Sequence, residues 1–286
     1  MVFFLGKRTS QAEVRGMALI AVLWIVAALA IMISGVQTSV RGEIRIVGAR
    51  KQSLEAVALG DAAMYMALQE LAASKERSAR RLKRDYSYDG RDMQVELIPL
   101  NGLIDLNKAP QELLAAMYAL YGSMSSVQAS ALSEETVKYR SQRDLHGREV
   151  GFESVQDLLN VPGVDYNLYA RLSKIITADL QGSGRVNPLA APIEVLFVLA
   201  GGDHSRASAI SERQASAVSP GDIDGAGLNG QWVGFSATTR YRIVVQVPTL
   251  DGRHVIVVRH VDVRPDRFTG IPWRIFNADH SMIASQ

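Results

Sequence analysis

The chain has no cysteine, which excludes a disulfide framework, a thiolate zinc site and thiol catalysis together. It also lacks a Gly-x-Ser-x-Gly elbow, a His-Glu-x-x-His pair, a phosphate-binding glycine loop and any close grouping of carboxylates with histidine. These are the patterns that hold nucleophiles, metals and phosphates in place, so the chain reads as a non-enzyme. Excess charge is missing as well. There are 31 Lys+Arg and 29 Asp+Glu, and Lys7, Arg8 and Arg15 sit with Glu13 in the first 16 residues. Residues 17–286 are left with 28 bases and 28 acids. A protein that binds polyanions by releasing counterions is more basic than that. The rest is ordinary for a folded chain: 286 residues, 48% hydrophobic and 21% charged, enough for one large or two modest domains with a sizeable core.

One region is not ordinary. From Met17 to Ile33 runs MALIAVLWIVAALAIMI, without a break and without a charge until Arg41. With Ser34, Gly35 and Val36 it reaches the ~20 residues that cross a ~30 Å hydrocarbon core as a helix. Soluble buried helices are seldom apolar on every face for so long. A cleaved secretory signal has a shorter apolar region and a small-residue cleavage site after it, and no Ala-x-Ala follows Ile33. Instead a short basic leader ends in Arg15-Gly16, directly against Met17. A cut after Gly16 would keep the whole apolar segment in the mature protein.

The string Arg15-Gly16-Met17-Ala18-Leu19-Ile20, followed by Val22-Leu23-Trp24-Ile25-Val26-Ala27, resembles the type III signal of pilins and pseudopilins. It is most similar to the minor pseudopilin K branch of type II secretion, also called general secretion pathway protein K. The resemblance implies cleavage between Gly16 and Met17 by a prepilin peptidase and N-methylation of Met17. It also implies a cytoplasmic N-terminus; the leader at net +2 and residues 38–52 at net +3 leave the positive-inside rule undecided. Most pilin-like proteins carry Glu at the fifth mature position, where this chain has Ala21. A carboxylate inside a membrane needs a cation, and in an assembling pilus the amino terminus of a neighbouring subunit supplies it. With Ala21 that pairing is lost, which implies a tip subunit rather than a repeating shaft subunit.

Apolar residues continue helically beyond the run, at Val40, Ile44, Val47, Leu54, Val57, Met64, Leu68 and Leu71. Their spacing predicts one amphipathic spine helix, ~80 Å long at ~1.5 Å per residue. Gly35, Gly42, Gly48 and Gly60 mark weak points or close contacts. Residues 75–92 are densely charged and read as a solvated helix end and loop. Met93–Leu100 alternates up to Pro99, which suits a strand end or an edge strand. Thr238–Val247 and His254–Val263 flank a turn containing Asp251-Gly252 and read as a hairpin. His254 and His260 fall on one face of its second strand, better explained as half-exposed sheet surface than as a metal pair, since no third ligand is evident.

Between the strands lies a helical insert. Asn107-Lys108-Ala109-Pro110-Gln111-Glu112 reads as a helix start, with Pro in the first turn and Glu at the positive end of the dipole. The phrase returns at Ala191-Pro192-Ile193-Glu194, and each copy runs into an apolar helix ending near glycine (Gly122; Gly201-Gly202). Phe152 to Val164 resembles half of a helix-hairpin-helix unit. Together with Gly102–Asn107 and Arg185–Asn187, these segments are similar to the K-type pseudopilin pattern from about Arg15 to Gly202 and again in the last hairpin.

The expected fold class is therefore α+β: a pilin-like long N-terminal helix packed on a small antiparallel sheet, with a large inserted all-α domain. The expected boundaries are a leader at 1–16, a transmembrane and spine helix at 17–85, a discontinuous pseudopilin domain at 86–105 and 218–286, and the insert at 106–217. The resemblance implies a minor pseudopilin that nucleates or caps the pseudopilus for protein export across the outer membrane. It implies an inner-membrane, single-pass protein with most of the chain in the periplasm, assembled at the pseudopilus tip. The implied partners are minor pseudopilins I and J, the prepilin peptidase, the inner membrane, and the outer-membrane secretin or exoprotein cargo.

Two further readings are weighed. A membrane-anchored helix-hairpin-helix DNA receptor of the competence type would share the anchor and the hairpin motif. However, Asp165 follows the hairpin glycine, and residues 101–185 hold eight bases and ten acids, which opposes phosphate contact. No nucleic acid is expected. The glycine-rich segment 219–230 offers Asp222, Asp224 and Asn229 as candidate calcium ligands, and K-type pseudopilins look calcium-dependent. It is not an EF-hand: the first ligand slot would be Pro220 and the twelfth Gln231. A tight loop before the last hairpin is the preferred reading of that segment.

Overall fold

The computed structural model describes residues 11–73, 79–143, 145–216, 227–250, 252–264 and 270–283. Two compact units divide the chain, Met1–Glu55 and Ala56–Gln286. The first contains most of helix α1 (Gln11–Ala73). Residues 19–32 of α1 are exposed throughout, Trp24 at 75% and Ile31 at 74%. Among the described residues no helix is long and apolar enough to cross a membrane. The expected transmembrane stretch, residues 17–36, reaches beyond these described side chains on both sides.

In the second unit the remainder of α1 meets a five-stranded antiparallel sheet of order β1-β2-β5-β6-β7: β1 Leu82–Tyr88, β2 Arg91–Pro99, β5 Arg240–Pro248, β6 His254–Asp262 and β7 Arg274–Ile283. The period of two in β5 and β6 sends Tyr241, Ile243, Val245, Val247, Val255, Val257 and Val261 to one face. There they bury with Met93, Val95 and Leu97 of β2 against Ala56, Ala63, Met64, Ala67 and Leu68 of α1. The helix face that docks sets small residues, Ala56, Gly60, Ala63 and Ala67, beside Met64 and Leu68. Gly60 comes so close that a Cβ there would lie 2.7 Å from Val257 Cγ2. The large apolar stripe expected for the spine is only partly the buried face: Met64 and Leu68 are buried, whereas Val47 and Leu54 are 64% and 71% exposed.

Two expectations are corrected. Residues 82–88, expected in a solvated helix end and loop, form β1, an edge strand in register with β2 from Leu82↔Leu97 to Tyr88↔Arg91. The turn between them is Asp89-Gly90, both with positive φ (50° and 69°), as a two-residue hairpin loop matching the twist of the strands requires. Its charged side chains are exposed because an edge strand shows them to solvent, which also blunts pairing with other chains. β2 is consequently an interior strand rather than an edge, and it ends at Pro99, the strand end that the proline suits. Pro99 is tolerated because it pairs with Tyr241 of β5 beyond the point where β1 begins.

The insert holds α2 (Gln111–Leu120), α3 (Ser126–Arg140), α4 (Tyr166–Leu172), α5 (Ile193–Leu199) and α6 (His204–Ser216). Pro110 and Pro192 stand at the N-caps of α2 and α5, with Glu112 and Glu194 in the first turns. Ser125 caps α3 in a reciprocal capping box with Gln128. The insert is not wholly helical. A short parallel pair, β3 (Ile104–Asp105) and β4 (Ile176–Thr177), closes its base. Its core centres on Leu113, Leu114, Met117, Tyr118, Phe152, Leu158, Leu172, Leu196 and Leu199, and reaches Ile98, Val244 and Phe276 on the second face of the sheet.

Candidate functional site

Gly16 and Met17, the expected processing pair, fall within α1. Ala21 lies on the exposed apolar stretch of the same helix. Of the expected calcium ligands, Asp222 and Asp224 lie outside the described residues. Asn229 is used locally: its Oδ1 accepts from the Gln231 N–H at 3.0 Å and its carbonyl from the Trp232 N–H at 2.9 Å. That is turn chemistry. Among the described residues no group of three or more His, Cys, Asp or Glu could hold a metal ion.

In the helix-hairpin-helix segment a single 3-10 stretch, Val155–Asn160, leads through Val161-Pro162-Gly163 (φ 96° at the glycine) to α4. Asp165 caps α4, its Oδ1 accepting from the Leu168 N–H at 2.7 Å. The carboxylate thus occupies the place a phosphate would need. Asn107, read as part of a helix start, does something else. Its Nδ2 donates to the Phe152 carbonyl at 2.9 Å and its Oδ1 accepts from the Phe152 N–H at 2.7 Å, a two-way clamp across 45 residues.

The charged groups gather where the insert meets the sheet. Arg242 of β5 is 6% exposed. Its Nη1 donates to the carbonyls of Ser173 (3.3 Å) and Lys174 (3.0 Å), its Nη2 to that of Ile176, and its Nε to His260 Nε2 at 3.0 Å. Burial pushes the guanidinium down to about 10. His260 pairs with it across the strands, and burial, then the Arg242 and Arg240 charges, hold it neutral by lowering its pKa to about 3. His260 is therefore part of a joint, not half-exposed surface; His254, on the same strand, is exposed. No residue pattern signals this, because nothing in β5 or β6 shows which end of the sheet's second face the insert covers.

Beside this pair, Arg240 is in ion-pair contact with Asp179, which follows β4, lies 3.6 Å from Asp262, and stacks over the Phe276 ring at 4.4 Å. Arg264 donates to both oxygens of Asp262 and to Gln181 at 2.8 Å. Burial pushes Asp262 up, but the hydrogen bonds from Arg264 and Thr239 prevail and hold its carboxyl below the usual range. Asp179, Gln181, Arg240 and Arg264 rim a cleft of about 310 Å³ that also takes in Asp105, Ser183, Ser236 and Thr238. No nucleophile with an activating base is among them. The arrangement fixes the insert against the sheet.

A spine helix on an antiparallel sheet, enlarged by a helical insert between strands, defines a pilin-like architecture with an added head domain. No protein-family model matches the chain, and no curated protein matches it. Among solved structures it is similar to a chain of the crystal structure of the GspK-GspI-GspJ complex from the enterotoxigenic Escherichia coli type 2 secretion system. The likeness has a TM-score of 0.52 at 13% identity and covers 83% of this chain and 99% of that chain. At that identity it is a likeness of fold, and the fold is GspK-like.

Proposed function

We propose that the protein is a minor pseudopilin at the tip of a type II secretion pseudopilus, where it nucleates or caps assembly and performs no catalysis. The observation that carries this reading is the extent of the fold likeness: it covers nearly the whole of the similar chain, so it takes in more than the helix-on-sheet core common to pilin-like folds. In this reading the leader is removed after Gly16, Met17 becomes an N-methylated terminus, and residues 17–36 anchor the chain in the inner membrane with the second unit in the periplasm. Ala21 offers no carboxylate to a subunit above it, so growth of the fibre proceeds below. The bulk of the insert has the same consequence.

The expected partners are minor pseudopilins I and J; the similar chain comes from a GspK-GspI-GspJ complex. The prepilin peptidase acts before assembly, and the secretin or cargo meets the tip afterwards. Amino-terminal sequencing of the protein extracted from membranes tests the scheme. Met17 as first residue supports it, and an intact Met1 in a host with active prepilin peptidase contradicts it.

A further inference from the structure

Asp105 ends β3, and its carboxylate is left out of the ion pairs around it. Oδ1 accepts two backbone N–H groups, from Asn107 at 3.0 Å and Asp179 at 3.2 Å. Oδ2 is buried, with less than 1 Å² exposed and no hydrogen-bond partner. It is closed off by Gly182, where a Cβ would collide with it. The charges nearby are committed elsewhere. On the sheet side, Arg240 is held by Asp179, and Arg264 by Asp262. Arg140 of α3 donates to the Leu106 and Ala109 carbonyls at 3.0 and 2.8 Å. Lys108, in the turn after β3, adds a favourable charge without a hydrogen bond, and the carboxylate of Asp179 adds a repulsive one. Asp105 lines the cleft, but Oδ2 itself turns almost no surface to it. A proton can sit there, and an ionised carboxylate left unpaired in that place is costly.

We propose that Asp105 is a proton latch: as the neutral acid it lets the 179–184 loop close over the joint between insert and sheet, and loss of its proton to solvent opens that loop. Opening follows because the bound proton leaves one negative charge behind, and only movement of the loop carrying Gly182 admits water to it. Burial, more than the neighbouring Asp179, raises Asp105 to about 7 against the pull of its two N–H donors. The sign is that of a raised carboxylate. The proton's stabilisation is complete below the ordinary range near 3.8, declines as pH rises, and is exhausted once Asp105 ionises in the closed form, near pH 7. The inference rests on the geometry of the joint and stands whether or not the pseudopilus reading does.

Hydrogen exchange of the full chain in detergent, followed in peptides covering 179–184 and corrected for the intrinsic rate at each pH, tests it. The expected result is a loss of protection on the order of a hundredfold between pH 5 and pH 8, and its absence in Asp105→Asn, which keeps the Oδ1 acceptor. Equal protection at both pH values, or the same loss in the variant, overturns the latch. Should Asp105→Asn fail to fold, the carboxyl carbon shift of Asp105 is followed in the unaltered chain beside the exchange of 179–184: a midpoint above the ordinary carboxylate range together with loss of protection supports the latch, and a midpoint near 4, or a raised midpoint with constant protection, refutes it. His260, which titrates in the opposite direction, affects both chains equally and cancels in their difference.

Discussion

The two faces of the five-stranded sheet are covered in different ways. On the α1 face the contact is dry and apolar: Ala56, Gly60, Ala63 and Ala67 let α1 approach Val245, Val247, Val255 and Val257, and Met64, Leu68 and Tyr241 fill the space around them. Its main ion pair, Arg259 Nε with Asp61 Oδ1 at 2.9 Å, involves an Asp61 that is still 33% exposed. On the insert face, buried Arg242, His260, Asp262 and Asp179 add polar and ionic contacts to the apolar packing of Ile98, Val244 and Phe276. Apolar contact is favourable in many alignments, whereas a guanidinium that must meet three carbonyls and an imidazole is satisfied in one. The spine is thus held mainly by apolar area, and the insert by apolar contact together with a directional charged joint.

The largest way to break this comparison is on the dry face. Tyr241→Ala empties a fully buried position and is expected to cost about 3–5 kcal/mol, read as a lower urea midpoint for the whole second unit. Arg242→Ala strands His260 and three carbonyls and is expected to cost about 3 kcal/mol or more; Arg242→Met with His260→Leu recovers most of that stability but leaves the insert more open to limited proteolysis. If the double variant is as protease-resistant as the original chain, direction is not what the charged joint supplies. Gly60→Ala forces Val257 to move and is expected to cost about 1–3 kcal/mol in thermal unfolding.

The pH dependence sharpens the contrast further. His260 is depressed to about 3 by burial first and the two arginines next, so its contribution is whole above the ordinary histidine range near 6.5 and falls as pH drops toward 3. In an Asp105→Asn background stability is expected to fall by about 1.4 kcal/mol per unit across that window. In the unaltered chain the opposite slope of Asp105 offsets it between about pH 4 and 6.5. A flat profile in the variant would contradict the assignment of His260. At the smallest end, Glu70, which bonds Tyr86 at 2.8 Å and Arg84 at 3.1 Å across exposed surface, is expected to cost less than about 0.5 kcal/mol as Glu70→Gln.

What could be read from the residues follows the same division. The β5–β6 hairpin was legible because alternation and a turn signal agree, and the turn forms as expected, with Thr249 N–H donating to the Arg253 carbonyl at 2.8 Å and Gly252 at φ 78°. The starts of α2 and α5 were legible from their prolines. β1 was hidden because its neighbours are charged, although Asp89-Gly90 carried the hairpin signal. β7 mixes Asn277, Asp279 and His280 with Ile275 and Phe276, as an edge strand can, and shows no period. The joint could not be read at all: Asp105, Asp179, Arg242 and His260 are brought together across as many as 155 residues, and each alone looks like a surface residue.

The most direct test of the central claim is where the protein sits on isolated pseudopili. Immunogold labelling against the second unit is expected to place it at one end of each fibre. Label distributed along the length would contradict a capping subunit, and absence from the fibres would contradict a pseudopilin altogether.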